Sequence, residues 1–224
     1  MGSKQGSKPT TNQDSYFYDN QNLSQFFVIL NNFFYGQDAL VLVIGEKGSG
    51  KTTMLNRFLA STREDCRGQR IRSSEHKNLN QRFVYTVNSD KLSTLIIDDA
   101  HELNATELRL LCLLTKPPDL APKFKQLIMF SEPGIMTTMS QILKQIPNSS
   151  VHKIYIPYLT LEQTFAYIQH QLKISGYKEN KFFTSAEIKT IHKASRGLPG
   201  LINKRARALI LKKSGKYKNN KPRS

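Results

Sequence analysis

Short, wholly apolar runs alternate along the first two thirds of this chain with segments whose apolar residues recur at helical spacing. Apolar runs of this length, bounded by turn residues, are typical of strands buried inside a parallel sheet. We predict strands over residues 39–44, 95–97, 126–130 and 151–156. We predict helices over residues 22–34, 51–60, 105–114 and 135–145. This alternation indicates an α/β fold, a three-layer core with a mostly parallel sheet.

The pattern changes near residue 158, after which helical spacing continues without a further strand. We predict helices over 161–174, 185–194 and 201–213, with Thr160 and Ser185 as N-caps. Residues 61–82 are polar and basic, and we expect at most one short strand and an exposed loop there. The predicted parts are a flexible N-terminal arm (1–20), an α/β core (21–158), a small all-helical lobe (159–213) and a basic tail (214–224).

The composition is that of a folded chain without a membrane span. Hydrophobic residues make up 38% of its 224 residues, and no apolar run reaches the roughly 18 residues of a membrane-spanning helix. The N-terminus lacks the apolar stretch of a signal peptide. Cys66 and Cys112 show no CxxC spacing, so we expect a reducing, cytoplasmic location. The five histidines, His101 among them, are scattered, and we interpret them as ordinary surface or core residues.

Positive charge is concentrated in the C-terminal half. The net charge is +16; residues 121–224 carry 19 basic and 4 acidic side chains (+15), and residues 1–120 carry 14 and 13 (+1). From Lys189 onward there are 12 basic residues and no acidic one. Such asymmetry favours nucleic acid or an anionic membrane as a partner, and the alternative is a solvated face that keeps the domain soluble.

The chemistry of the chain is indicated first by GEKGSGKT at residues 45–52, between a predicted strand and a predicted helix. This pattern, GxxxxGK[ST], lets backbone N–H groups approach the phosphates of a nucleotide at the start of a helix. We expect Lys51 to reach the β- and γ-phosphates and Thr52 to bind Mg²⁺. The predicted nucleotide-binding residues are Gly45, Glu46, Lys47, Gly48, Ser49, Gly50, Lys51, Thr52 and Thr53, with Glu46, Lys47 and Ser49 contributing backbone only.

Acidic and polar residues follow two of the other predicted strands. Asp98 and Asp99 end the apolar run 95–97; we expect Asp98 to bind Mg²⁺ and Asp99 to polarise the attacking water, although Asp99 could instead cap the next helix. Ser131 follows the run 126–130, where it could orient the γ-phosphate or the water, or serve as a turn residue before Pro133. The predicted ligands are therefore ATP or ADP with Mg²⁺.

These motifs resemble the AAA+ ATPase domains of the ExeA type, found in general secretion, in DamX-like cell-division proteins and in the MuB and TniB transposition ATPases. The likeness covers about residues 22–213. It is carried by GEKGSGKTT at 45–53, LIIDDAHEL at 95–103, FSEPGI at 130–135, IPYLTLEQTFAYIQHQLKISGY at 156–177 and ASRGLPGLINKRARALI at 194–210. The last two segments resemble the helical lid of that family.

Two departures from the family pattern concern hydrolysis. The family has Asp-Glu where this chain has Asp98-Asp99, and Asp99 is one methylene shorter. At Gly200 the family carries the arginine that contacts the γ-phosphate; Arg196, Lys204 or Arg205 could take its place. We therefore expect nucleotide binding with slow turnover, stimulated by oligomerisation or by a partner.

The resemblance implies three alternative functions. The chain is expected to be the cytoplasmic ATP switch of a membrane-associated assembly, at the inner face of the membrane, with a basic tail that precedes a missing membrane span or contacts anionic lipid. Alternatively it is a transposition-type ATPase that binds DNA without sequence preference. The third alternative is a scaffold that binds ATP and does not hydrolyse it. A protein partner or self-assembly is expected in each case.

Overall fold

The computed structural model describes residue 18 and residues 21–34, 39–61, 67–71, 84–88, 93–115, 126–146, 151–177 and 182–219. Its strands are β1 (Ala39–Ile44), β2 (Arg67–Ile71), β3 (Val84–Asn88), β4 (Ser93–Ile97), β5 (Gln126–Ser131) and β6 (Val151–Tyr155). Its helices are α1 (Gln21–Phe34), α2 (Lys51–Ser61), α3 (Ala105–Thr115), α4 (Ile135–Leu143), α5 (Leu161–Ile174), α6 (Ser185–Ser195) and α7 (Pro199–Asn219).

The strands form one six-stranded sheet in the order β2-β3-β4-β5-β1-β6. The four strands β4, β5, β1 and β6 are parallel, whereas β2 pairs antiparallel with β3 and β3 with β4. The mostly parallel sheet was predicted, but β3 was not, because the polar residues Thr86 and Asn88 interrupt what would otherwise be one apolar run. β2 lies in the segment 61–82, where at most one short strand was expected.

Each face of the sheet is covered by helices. Along β1, Val41 and Val43 pack with α1 and α2, whereas Leu40, Leu42 and Ile44 pack with α3 and α4. A strand buried on both faces needs apolar side chains at every position, which explains the uninterrupted apolar run of β1. The predicted three-layer core is therefore confirmed.

The last three helices enclose a separate small core, which includes Tyr167, Ile168, Ile188 and Ile202. Thr160 caps α5 through a capping box with Gln163, as predicted. The N-cap prediction at Ser185 is wrong: Thr184 caps α6, since its hydroxyl accepts from the backbone N–H of Glu187 and the Glu187 carboxylate accepts from the N–H of Thr184.

Helix α7 is longer than the predicted segment 201–213. It begins at Pro199, a residue suited to the first helical position, and ends at Asn219. The first part of the predicted basic tail, 214–219, is thus helical, and residues 220–224 lie outside the described residues. Within the described residues, no helix combines the length and the apolar character needed to cross a membrane.

One residue of the predicted flexible arm contacts the helical lobe. The ring of Tyr18 meets the ring of Tyr167 on α5 edge-on, with the centroids 5.6 Å apart. It also lies against His170, at 5.8 Å between centroids. Apart from Tyr18, the predicted arm 1–20 lies outside the described residues.

Candidate functional site

The loop 45–50 connects the end of β1 to the start of α2, in the predicted order of strand, loop and helix. Gly48 and Gly50 have φ angles of +83° and +94°, values that L-residues with side chains rarely adopt. The backbone N–H of Gly45 donates to the carbonyl of Ser131 (3.0 Å), which ties the loop to β5. The Ser49 hydroxyl is buried and has no hydrogen-bond partner within the described part of the chain. The loop therefore has no side chain at Gly48 or Gly50, and the N-terminal end of α2 stays open to a ligand there.

Lys51 is the buried cation of this loop, with only 7% of its side chain exposed. Its Nζ donates to the carbonyl oxygens of Gly45 (3.0 Å) and Glu46 (3.3 Å). The Nζ also lies 3.9 Å from Oε1 of Glu132, the residue that follows β5. The ammonium group thus folds back over its own loop and can exchange carbonyl oxygens for phosphate oxygens by a small movement.

Thr52 and Asp98 meet at the carboxyl edge of the sheet. The Thr52 hydroxyl donates to Oδ2 of Asp98 at 2.8 Å, and Asp98 is almost fully buried. Burial raises the pKa of Asp98 above its ordinary value, and the hydrogen bond from Thr52 opposes this rise. The described residues contain no cluster of three or more His, Cys, Asp or Glu side chains that could hold a metal. One hydroxyl and one carboxylate fit Mg²⁺, which keeps several water ligands and uses few protein oxygens.

Asp99 adopts the left-handed conformation (φ 49°, ψ 41°) at the start of a short 3₁₀ helix, Ala100–Glu102. Its side chain makes no capping hydrogen bond, so the capping alternative does not describe what this carboxylate does. Its backbone N–H donates to Oδ1 of Asp98 at 3.0 Å. The Asp99 carboxylate is 48% exposed, and its Oδ1 lies 4.0 Å from Nδ1 of His101.

Two further side chains complete this group: His101 and Glu132. Nε2 of His101 lies 3.4 Å from Oε1 of Glu132, so the imidazole stands between the carboxylates of Glu132 and Asp99. The interpretation of His101 as an ordinary residue missed this position, and the sequence motif at β5 pointed to Ser131 rather than Glu132. The sequence feature that could have indicated Glu132 is its position directly after a parallel strand, at the edge where β4 also ends.

Ser131 is placed differently from the prediction. It is fully buried, its hydroxyl donates to the backbone carbonyl of Glu132 (3.2 Å), and it does not line the cavity beside the loop. That cavity has a volume of about 320 Å³. It is lined by Lys47, Gly48, Gly50, Lys51, Thr52, Thr53, Asp99, His101, Glu102 and Glu132. Seven of the predicted site residues therefore line the cavity, and Ser131 serves to anchor the loop.

The side chain of Glu46 has a role that the sequence did not indicate. The Tyr158 hydroxyl donates to Oε1 of Glu46 at 2.6 Å, and this bond is the main reason that the pKa of Tyr158 is raised. Tyr158 lies in the segment that leads from β6 to the helical lobe. The expectation that Glu46 contributes backbone only is thus incomplete, because its side chain links the loop to the entry of the lobe.

Gly200 joins the helical lobe directly to the phosphate loop. Its N–H donates to the carbonyl of Gly48 at 2.9 Å. A Cβ atom at Gly200 would lie 3.0 Å from the Cα of Gly48, which is closer than such contacts normally allow. The three residues considered as substitutes for the missing arginine, Arg196, Lys204 and Arg205, are exposed and do not line the cavity.

Comparison with solved structures identifies the architecture. Domain III of the replication initiation protein DnaA from Thermotoga maritima aligns with a TM-score of 0.52 and 14% identity, covering 96% of this chain and 94% of that chain. The fold is that of an AAA+ P-loop ATPase. A RuvB mutant from Thermotoga maritima aligns with this chain at a TM-score of 0.46 and 16% identity, covering 83% of this chain and 60% of that one.

Comparison with curated sequences gives one distant similarity. General secretion pathway protein A of Aeromonas hydrophila is 23% identical over 216 residues, covering 84% of this chain and 39% of that protein. The chain thus spans well under half the length of this relative. No protein-family model matches the chain.

Proposed function

We propose that this AAA+ chain binds ATP with Mg²⁺ through residues 45–52 and hydrolyses it slowly, as the nucleotide-dependent switch of a membrane-associated assembly. The observation that carries the proposal is the contact between Thr52 and Asp98 (2.8 Å) at the start of α2. It brings a hydroxyl and a carboxylate from two distant parts of the chain beside the loop. The relation to General secretion pathway protein A favours an assembly of the secretion type, at the cytoplasmic face of the membrane.

The nucleotide fits the groups that the loop offers. The backbone N–H groups at the start of α2 favour an anion, and the Lys51 ammonium adds the charge that a triphosphate requires. Mg²⁺ bound at Thr52 and Asp98 would supply positive charge that neutralises the phosphate oxygens. The Ser49 hydroxyl, which is buried and has no partner among the described residues, offers one more polar group within the loop.

We infer slow turnover because the described cavity lacks an arginine. None of the residues that line it is an arginine. An arginine that stabilises charge in the transition state contributes about 10³–10⁵-fold to phosphoryl transfer. Gly200 stands where the related family carries such a residue. We therefore infer that a partner or a second copy of the chain supplies the missing charge.

The central experiment replaces Lys51. We expect Lys51→Ala to lower the affinity for MgATP by about 100-fold, because the loop loses its one buried cation and a charge-assisted contact is worth roughly 1.5–3 kcal/mol. The matched control is Lys189→Ala, which removes an exposed lysine on α6 and should leave the affinity unchanged. Titration calorimetry with and without Mg²⁺ gives both numbers, and undiminished affinity in Lys51→Ala would overturn the proposal.

A second function is favoured by the charge of α7. This helix contains no acidic residue, and it exposes Lys204, Arg205, Arg207 and Lys212. A face of this charge can follow a nucleic-acid backbone without reading bases. The second candidate is therefore an ATPase that acts on DNA without sequence preference.

A further inference from the structure

Three carboxylates line the cavity beside the phosphate loop, those of Asp99, Glu102 and Glu132. The two that lie against His101, Asp99 and Glu132, differ in position. Glu132 follows β5, between β4 and β1, and its Oε1 lies 3.9 Å from Nζ of Lys51. Asp99 follows β4, and its Oδ1 lies 4.0 Å from Nδ1 of His101. Since Lys51 is the group that would hold the terminal phosphates, its contact with Glu132 would place this carboxylate beside them.

The two carboxylates also differ in solvent exposure, and this difference again favours Glu132. The Glu132 side chain is 32% exposed, and the Asp99 side chain is 48% exposed. A more enclosed carboxylate is surrounded by less solvent and is held in a narrower range of positions. Glu132 is also one methylene longer, which extends its reach into the cavity.

We propose that Glu132, rather than Asp99, is the catalytic base of the hydrolysis, and that His101 is the residue that positions it. This proposal rests on the proposed ATPase function. Lys51 and His101 approach the same oxygen, Oε1 of Glu132, at 3.9 and 3.4 Å. These two contacts restrain the carboxylate, and its second oxygen is left to meet a water molecule.

The step assigned to Glu132 is the removal of one proton from the attacking water. The water oxygen forms a bond to the γ-phosphorus while its proton passes to the Glu132 carboxylate. The bond from the γ-phosphorus to the β,γ-bridging oxygen breaks, and its electron pair leaves with ADP. The products are ADP and inorganic phosphate, and Glu132 returns its proton to solvent, so neither an oxidant nor a further reactant is needed.

His101 has the geometry of a positioning residue. It lies on the 3₁₀ helix Ala100–Glu102, which begins at the left-handed Asp99. Its Nδ1 is buried and has no hydrogen-bond partner within the described residues, while its Nε2 faces Glu132. The shorter of its two carboxylate contacts is thus the one with Glu132, at 3.4 Å against 4.0 Å for Asp99, and this contact restrains Oε1 of Glu132.

The test compares Glu132→Gln with Asp99→Asn, two variants that remove a charge and keep the shape of the side chain. We expect Glu132→Gln to lower ATP turnover by about 100-fold or more, the usual contribution of a general base, and Asp99→Asn by less than 10-fold. MgATP affinity should be retained or increased in Glu132→Gln, because a negative charge near the γ-phosphate is removed. The affinity for ADP–aluminium fluoride, a transition-state mimic, should fall.

Each outcome bears on a different claim. If the wild-type chain does not bind MgATP, the proposed function fails. If it binds MgATP and Glu132→Gln turns over as fast as the wild type, or if Asp99→Asn is the variant that abolishes turnover, the assignment of Glu132 fails while ATP binding stands. Binding without wild-type turnover also overturns the assignment. Should Glu132→Gln unfold, Glu132→Asp is the replacement, and it should lose turnover with affinity retained.

The positioning role of His101 has a separate readout. We expect His101→Ala to lower turnover by about 10-fold with MgATP affinity unchanged, since only the orientation of Glu132 is lost. Because 23% of the His101 side chain is exposed, free imidazole can enter the vacated space and should restore part of the turnover. Imidazole should not restore the double variant His101→Ala/Glu132→Gln. Absence of rescue in the single variant would contradict the positioning role.

Discussion

Asp98 is the residue at which binding and stability oppose each other. Its carboxylate is buried before any cation is present, and burial raises its pKa above the ordinary value of 3.8. The folded chain therefore binds this proton more tightly than the unfolded chain does. The stability that the group contributes is complete below pH 3.8 and is lost as the pH rises through the higher folded pKa.

Because the pKa of Asp98 is raised in the folded chain, we predict that Asp98→Asn stabilises the chain without ligand near pH 7. The substitution replaces a buried charge with a neutral amide. The gain should shrink as the pH falls toward the ordinary pKa of Asp98. Thermal unfolding at several pH values, without nucleotide or Mg²⁺, measures the effect, and Asp99→Asn is the control because the Asp99 carboxylate is half exposed. The same Asp98→Asn variant should lose the Mg²⁺-dependent part of ATP binding. Equal destabilisation at every pH would contradict this account.

The sequence allowed some site residues to be predicted and not others, for physical reasons. Thr52 and Asp98 could be predicted as partners because strand, loop and strand end converge at one edge of a parallel sheet. His101 could not, because its position depends on the left-handed turn at Asp99, which the residue type permits but does not require. Ser131 was predicted as the site residue in place of Glu132, because one residue of register along β5 decides which side chain faces the cavity.

At the scale of elements, the contact between the start of α7 and the phosphate loop determines what position 200 tolerates. A Cβ atom there approaches the Gly48 backbone to 3.0 Å, and backbone atoms cannot rotate away as a flexible side chain can. The close packing of the lobe on the loop therefore leaves no room for an arginine side chain at position 200. An arginine introduced at this position alone would displace the loop that it is meant to assist.

We accordingly predict that Gly200→Ala weakens MgATP binding several-fold and lowers stability by about 1 kcal/mol, the lower range for overpacking. Gly200→Arg should lower both further and should not raise turnover. The control is Gly134→Ala, since a Cβ atom at Gly134 meets nothing within 4 Å. Calorimetry and thermal unfolding measure the two effects. A rise in ATPase rate in Gly200→Arg would show that the loop and α7 separate readily.

Elements with continuous apolar runs or with strong caps were predicted close to their observed bounds, as β1 and α5 illustrate. The omission of β3 has the opposite cause, because an antiparallel strand near the sheet edge does not need apolar residues at every position. The end of α7 was missed since its last residues, 214–219, lack an apolar stripe in the sequence.

At the scale of the whole molecule, the basic face of α7 lies on the lobe and not in the nucleotide site. The exposed basic side chains Lys204 and Arg207 are on this helix, and the phosphate cavity contains none of its residues. Charge on this face can therefore be changed separately from nucleotide binding. That separation makes the DNA function testable without loss of the ATP site.

We predict that the double variant Lys204→Glu/Arg207→Glu binds duplex DNA more weakly, with a shallower dependence on salt, while its MgATP affinity is unchanged. Each phosphate contact that is lost should reduce the slope of log K against log salt by about 0.9. Fluorescence anisotropy over a salt series, with ATP present, gives both slopes. Tight binding with no salt dependence in the wild type would rule out the DNA function. Binding to anionic vesicles in place of DNA would favour the membrane function.

The hydrogen bond between Gly48 and Gly200 also couples movements of the loop to the whole length of α7. At 1.5 Å per residue, the 21 residues of α7 extend about 31 Å from this contact. A rotation of roughly 5° at the loop would move the far end of such a helix by about 3 Å. A change too small to measure at the phosphates is thus amplified at Asn219. A probe for the nucleotide state belongs at that distant end, where the displacement is largest and the chemistry is undisturbed.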